Sequence, residues 1–309
     1  MLSDFNFLAS ISIHSSMAVL YATVGEIIVE RSGVLNLGVE GMMLVGALAG
    51  FAGTYFSHSL GIGILAAVFS GGAMALIHGF FSITLRLNQI VSGLALTMLG
   101  TGLTNFLGRP LLGKPTLRLI NWPVPFFSDL PVLGKVFFQQ NALVYPAYLL
   151  IPLVSFFLYR TTFGLNIRSV GENPFAADTV GIHVTRIRYL CTFTGGCFAG
   201  LAGAYLSLGY IPGWKEQMTS GQGWIAIAMV IFAMWDPMKA VIGSLLFGFI
   251  NALQFYFQIS AASWVPAYFL KMLPYLMTIG VLWTVNVWRG RWFNTPPPAA
   301  LMIPFKREE

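Results

Sequence analysis

The feature that most constrains this chain is a succession of long apolar runs, at about 12–29, 41–57, 62–84, 90–107, 142–159, 189–211, 223–235, 239–258 and 269–288. Most reach the ~20 residues that cross roughly 30 Å of hydrocarbon at 1.5 Å per residue. Within a bilayer core every backbone polar group has to be satisfied by the segment itself, which favours helices. Composition closes off the alternatives. Asp, Glu, Lys and Arg make up 9% of the 309 residues and hydrophobic residues 56%. A soluble domain carries roughly 25% charged residues. With a mean hydropathy of +0.74, a water-soluble enzyme is excluded, and so is a disordered or fibrous chain. The expected fold is all-α: a single polytopic membrane helix bundle over 1–309, with about nine transmembrane segments and one or two broken helices.

Seventeen basic residues against eleven acidic ones give a net charge of +6. The basic residues fall singly between apolar runs, with no patch that would hold nucleic acid. Their excess reads instead as orientation by positive cytoplasmic loops. Nine crossings with the C-terminus inside put Arg31, Arg86, Arg160, Arg168, Arg186, Arg188, Lys239, Arg289, Arg291, Lys306 and Arg307 in the cytoplasm, eleven against five in outer loops. The tail 289–309 is then cytoplasmic and the N-terminus outside. Run 223–235 is short and ends at Asp236-Pro237; re-entry there would change the parity and move the N-terminus inside. The first 30 residues lack Lys and Arg, so no signal-peptide n-region is expected. Cys191 and Cys197 lie about 240° apart around a helix and predict neither a disulfide nor a metal framework.

Two loops are long enough to carry a role. Residues 108–141 hold Pro110, Pro115, Pro123, Pro125 and Pro131 with Trp122, and are expected to form a structured extracytoplasmic cap without regular helix. Residues 160–188 are more polar and cytoplasmic in this arrangement. There Asn173 can cap a helix, Pro174 suits its first position and Gly181 its end. The spacing predicts a short helix over about 174–180 presenting Phe175, Ala176, Ala177 and Val180. It has the shape of a docking element, although an ordinary connecting loop is also compatible.

The chemistry-bearing motifs are mostly negative. Gly108–Pro115 reads GRPLLGKP, but Pro115 replaces the magnesium-binding Ser or Thr of a phosphate loop, Pro110 interrupts it and no strand precedes it. No nucleotide-hydrolysing site is expected in this chain. His14, His58, His78 and His183 are scattered, with His78 read as a packing residue, and no paired carboxylates recur. Glu26 and Glu30, one turn apart beside Arg31, predict a local ion pair at a helix end.

Polar stripes are more informative. Gln89, Gly93, Thr97, Gly100 and Thr104 fall within about 80° of one helix face. Ser244, Gly248, Asn251, Gln254 and Gln258 repeat the pattern. Such faces look into the protein, either along a water-filled path or into close helix packing with amides bonding across. Gln89, Thr97, Asn251 and Gln254 are the candidate pathway residues. Gly195, Gly196, Ala199, Gly200, Gly203 and Ala204 read as a packing face. The glycine-rich stretches 32–41 and 217–224 are compatible with tight turns or with the broken helices by which transporters place backbone dipoles at a substrate path.

Gly25-Glu26-Ile27-Ile28-Val29-Glu30-Arg31-Ser32-Gly33-Val34-Leu35-Asn36-Leu37-Gly38-Val39-Glu40-Gly41 resembles the opening signature of ABC-importer permeases of the nucleoside/simple-sugar group, related to ribose and branched-chain amino acid permeases. Gly171-Glu172-Asn173-Pro174, Ala176-Ala177 and Gly181-Ile182 resemble that group's cytoplasmic loop, with Phe175 where a Glu usually leads. Ser220–Ala226 and Trp235-Asp236-Pro237 resemble later signatures, with Asp236 where Asn is commoner. The similarity covers roughly residues 20–260. It implies a multi-pass subunit of the bacterial plasma membrane that moves a nucleoside by alternating access. Its implied partners are a second related permease, an extracytoplasmic substrate-binding protein and a cytoplasmic ATPase that carries the ATP and magnesium, leaving no cofactor in this chain. ATPase coupling would then fall on Gly171, Glu172, Asn173, Pro174, Ala176, Ala177 and Gly181. A simple sugar or riboflavin-like substrate fits the same resemblance. An ion-coupled secondary transporter is the competing class, but it needs deep ionisable residues that the apolar runs scarcely offer.

Overall fold

A computed structural model describes residues 2–130, 133–260, 266–287 and 296–306. Arg289, Arg291 and Arg307, and with them much of the expected tail, lie outside the described residues. In chain order the helices are α1 (Leu2–Arg31), α2 (Val39–Ser57), α3 (Leu60–Gly79), α4 (Gln89–Gly108), α5 (Leu133–Phe137), α6 (Val144–Arg160), α7 (Thr162–Glu172), α8 (Pro174–Thr179), α9 (Val184–Tyr205), α10 (Gln222–Ala233), α11 (Pro237–Ser260) and α12 (Ala267–Val287). Single π-helical turns at Phe80–Thr84 and Leu206–Tyr210 prolong α3 and α9.

The apolar runs are helical where they are described, but the expected count of nine crossings is not exact. Among the described residues six helices are long and apolar enough to cross a membrane, and a seventh follows if α6 and α7, bent by 72° at their junction, form one broken span. α10 has only 12 residues, about 18 Å at 1.5 Å per residue. Met234 and Trp235, at φ 50° and 56°, then reverse the chain directly into α11.

α1, α2 and α9 form the centre. Their best apolar windows are 67% buried, against 28–39% for α3, α4 and α11. Small residues allow this density, because dispersion between helices in lipid depends on close approach. A Cβ on Gly46 of α2 would sit 2.5 Å from Gly200 Cα of α9, and one on Gly71 of α3 would sit 2.3 Å from the Gly196 carbonyl. On the other side of α9, a Cβ on Gly25 of α1 would meet the Gly195 carbonyl at 2.9 Å. The small-residue face of α9 thus packs three helices at once. The large side chains Phe69, Met98, Phe106 and Leu149 point outward instead, as lipid-facing residues do.

The loop 108–141 differs from its expected form in containing regular structure. β1 (Asn121–Pro123) and β2 (Gln139–Asn141) make an antiparallel ribbon, with Trp122 opposite Gln140. α5 lies just before β2, and Gln140 Nε2 reaches the Ser10 hydroxyl of α1 at 3.2 Å. The loop 160–188 likewise holds two helices rather than one. Thr161 caps α7 by accepting the Gly164 N–H at 3.1 Å, a local signal that a reading centred on Asn173 passes over. α9 begins at Val184, so Arg186 and Arg188 belong to it.

Candidate functional site

The chain leaves α1 through Gly33, which at φ 87° occupies the left-handed region that a side chain resists. Residues 32–38 then run without helix before α2. A buried irregular stretch has to have its backbone groups bonded by neighbours, and here side chains do so. Gln89 Oε1 accepts the Leu35 N–H at 2.8 Å. His78 Nε2 donates to the Leu35 carbonyl at 3.0 Å, with Ser92 Oγ 3.1 Å from its Nδ1. Glu26 Oε1 accepts the Asn36 N–H at 3.0 Å, and Thr97 donates to the Leu37 carbonyl at 3.1 Å. Asn36 Oδ1 in turn accepts the Gly38 N–H at 3.0 Å.

The α4 stripe therefore faces this break. A Cβ on Gly93 would sit 2.8 Å from Leu37 N, and one on Gly100 would sit 2.8 Å from Gly41 Cα. Gln89 and Thr97 are brought together on it, both buried. The other two candidate pathway residues lie elsewhere. Asn251 is half-buried and Gln254 buried on α11, which packs on α1, whereas α4 packs on α2. Part of the α11 stripe is helix packing as well, since a Cβ on Gly248 would lie 2.2 Å from the Ser12 carbonyl.

The second glycine-rich stretch is joined to the first. α10 starts after Gly221 with no side-chain cap of its own, leaving amide donors that need acceptors. Glu40, on the first turn of α2, supplies them: Oε1 accepts the Gly221 N–H at 2.8 Å and the Thr219 hydroxyl at 2.5 Å, and Oε2 accepts the Gly223 N–H at 2.7 Å. A carboxylate at a helix N-terminus also meets the positive end of the helix dipole. Residue-by-residue reading does not single out Glu40; the uncapped start of α10 is the signal that an acceptor is needed.

The expected ion pair at the end of α1 does not form. Glu30 Oε2 accepts the Trp235 indole N–H at 2.6 Å. Arg31 turns to the Trp235 carbonyl, with Nε at 3.1 Å, and to the Tyr159 hydroxyl at 3.1 Å. The positive-φ turn between α10 and α11 supplies the Trp235 indole and carbonyl, and α6 supplies the Tyr159 hydroxyl. Arg31 and Arg168 also lie over the Tyr159 ring, 5.9 and 5.3 Å from its centroid.

α8 forms close to its expected bounds. Asn173 Oδ1 accepts the Ala176 N–H at 3.0 Å, and Pro174 occupies the first turn. Gly181, at φ 87°, ends it, with the Ile182 N–H bonded to the Ala177 carbonyl at 3.0 Å. Pro174 and Ala177 face inward, while Phe175 is 47% and Val180 75% exposed. Gly171 lies against the end of α1, where a Cβ would meet the Arg31 carbonyl at 2.1 Å. Glu172 Oε2 accepts the Ala299 N–H at 3.3 Å. Beside α8 a groove of about 420 Å³ is lined by Thr84, Arg86, Asp178, His183 and Arg186 among others.

A family model described as "Branched-chain amino acid transport system / permease component" matches residues 7–282. TsgC13 of Haloferax volcanii, whose name provisionally makes it a glucose ABC transporter permease protein, is 40% identical and aligns over 97% of this chain and 98% of its own. The guanosine ABC transporter permease protein NupQ of Bacillus subtilis is 37% identical over 84% of this chain and 86% of its own. The nucleoside ABC transporter permease protein NupC of Lactococcus lactis is 34% identical over 86% of this chain and 88% of its own. With a matching model over most of its length, this multi-helix membrane chain belongs to the permease-component family of the branched-chain amino acid transport system type.

Proposed function

We propose that this chain is one permease subunit of an ATP-driven ABC importer of nucleosides in the bacterial plasma membrane. The observation that carries the coupling half of this reading is α8: a capped helix with an exposed side, on a chain whose sequence holds no ATP-hydrolysing motif. Asn173, Pro174, Ala176, Ala177 and Gly181 build that helix and its two ends, and Gly171 and Glu172 close α7 just before it. A separate ATPase, holding ATP and magnesium, docks on Phe175 and Val180 and drives alternating access. A second related permease and an extracytoplasmic substrate-binding protein complete the assembly. The α8 end faces the cytoplasm, supported by the arginines gathered there (Arg31 and Arg168 at Tyr159, Arg86 and Arg186 in the groove) and by the positive-inside rule. The ribbon of 108–141 is then extracytoplasmic, and the C-terminus lies inside.

The substrate path borders the break at 32–38 and the amide face of α11. Asn251 and Gln254 meet the substrate, while Gln89 and Thr97 act through the backbone they hold. The nucleoside assignment is supported by the names of NupQ and NupC. A simple sugar is the second reading, favoured by the 40% identity to TsgC13 over nearly the whole chain. Uptake into cells carrying the complete operon separates these readings. Labelled guanosine, competed by other nucleosides and not by glucose, supports the first; the reverse pattern supports the second. Uptake abolished by an uncoupler but untouched by ATP depletion would overturn both.

A further inference from the structure

Residues 296–306, which follow α12 in sequence, make a set of contacts that neither the break nor α8 accounts for. Pro298 and Ala300 are buried. The Ala300 N–H donates to the Gly171 carbonyl at 2.8 Å, at the end of α7. The Met302 N–H donates to the Gly33 carbonyl at 3.2 Å, at the start of the break. The Ile303 carbonyl accepts from Arg188 Nη1 of α9 at 3.0 Å. The Phe305 ring stands 5.3 Å from that of Phe175 on α8. One short segment thus touches the end of α7, the break, α9 and α8 in turn.

Arg188 makes these contacts a junction. It is 2% exposed, and its Nε donates to the Ser32 carbonyl at 3.2 Å while Nη1 holds Ile303. A guanidinium is a rigid planar fork, so the backbone entering the break and the backbone of the terminal segment are held at a set separation. Gly33 completes the fit: a Cβ there would lie 3.0 Å from Arg188 Nη2 and 3.1 Å from the Ala300 carbonyl. Coupling between distant sites needs an element that both sites bias. The break and α8 are separate in sequence, and this segment spans them.

We infer that residues 298–305, clasped by Arg188, transmit movement of α8 to the break held by Gln89 and Thr97. Arg188 is on this account a positioning residue for transport rather than a substrate contact. The inference rests on the reading of α8 as the ATPase dock, so its test has to report docking and transport separately.

The experiment uses the whole transporter in proteoliposomes, with Phe305→Ala, Arg188→Gln and Arg188→Lys compared with the unaltered chain. Four quantities are read: ATPase co-purification, basal ATP hydrolysis, the increment of hydrolysis caused by loaded binding protein, and nucleoside uptake. All three variants should retain the ATPase and basal hydrolysis. Uptake and the stimulated increment should fall about ten-fold, within the usual span of coupling between sites. Arg188→Lys should not rescue, because an ammonium is a compact point charge without the planar fork whose separate nitrogens reach the two carbonyls. Phe305→Ala, which leaves every backbone bond in place, decides the matter if the arginine variants fail to accumulate. Unaltered uptake in Phe305→Ala would overturn the inference. Loss of the ATPase from that variant would overturn it too, by making the segment part of the dock. An unaltered chain that brings down no ATPase would instead remove the dock reading itself.

Discussion

Glu40 Oε2 accepts the backbone N–H of Gly223 at 2.7 Å, joining the first turn of α2 to that of α10 across 183 residues of sequence. The same carboxylate takes the Gly221 N–H and the Thr219 hydroxyl, so two glycine-rich interruptions are held by one side chain. Each buried donor left without an acceptor costs about 1–3 kcal/mol. Glu40→Ala should therefore lower the Tm of the detergent-purified protein by about 5 °C or more and reduce uptake to background. Glu40→Gln, which keeps one acceptor oxygen, should fall between. Thermal unfolding followed by tryptophan fluorescence checks both; an unchanged Tm in Glu40→Ala would deny the bridge its role.

The glycines of α9 make a sharper contrast. A Cβ on Gly200 would lie 2.1 Å from the Ala67 carbonyl, whereas one on Gly102 of α4 has nothing within 4 Å. Overpacking costs typically about 1–3 kcal/mol, and more where backbone has to move. Gly200→Val should yield little folded protein by size-exclusion profile, and Gly102→Val should be tolerated. Equal yields from the two would contradict the packing described for α2, α3 and α9.

At α8, Asn173→Ala removes the cap on the Ala176 N–H and should cost about 1 kcal/mol locally, with a partial loss of uptake. Gly181→Pro is more severe. Proline is fixed near φ −65°, far from the φ of 87° found there, and it deletes the N–H that bonds Asp178. Transport should collapse while membrane insertion, measured by fractionation, persists. Normal uptake by Gly181→Pro would count against α8 as the coupling helix.

For the substrate path, Asn251→Ala and Gln254→Ala should each raise the KM for uptake several-fold while expression holds. Gln89→Ala acts differently, because it strips the Leu35 N–H of its acceptor; it should lower thermal stability as well. If both α11 variants transport normally, the path does not run along that face.

Short-range features of this fold are legible in sequence. Asn173, Pro174 and Gly181 act within one or two turns of α8, so its bounds follow from capping rules alone. The small-residue face of α9 is likewise periodic, and the structure packs it against α1, α2 and α3. Features that depend on distant partners are not. Glu30 looks paired to its neighbour Arg31 until Trp235, 205 residues away, supplies the donor that its carboxylate takes. The α4 stripe announces a buried face, but that it services the backbone of Leu35 and Leu37 depends on where α4 lies. Among the described residues the count of nine crossings is not matched at α10, because apolarity without length does not make a span, and α6 makes one only together with α7 across the bend at Arg160–Thr162, while α12 is not among the six.

The central claim is that α8 docks an ATPase, and photocrosslinking from Val180 tests it most directly. A photoreactive amino acid placed at that exposed position, irradiated in the native membrane, should give one principal adduct that mass spectrometry identifies as an ABC ATPase. Adducts formed only with lipid, with this chain or with an extracytoplasmic protein would contradict the account.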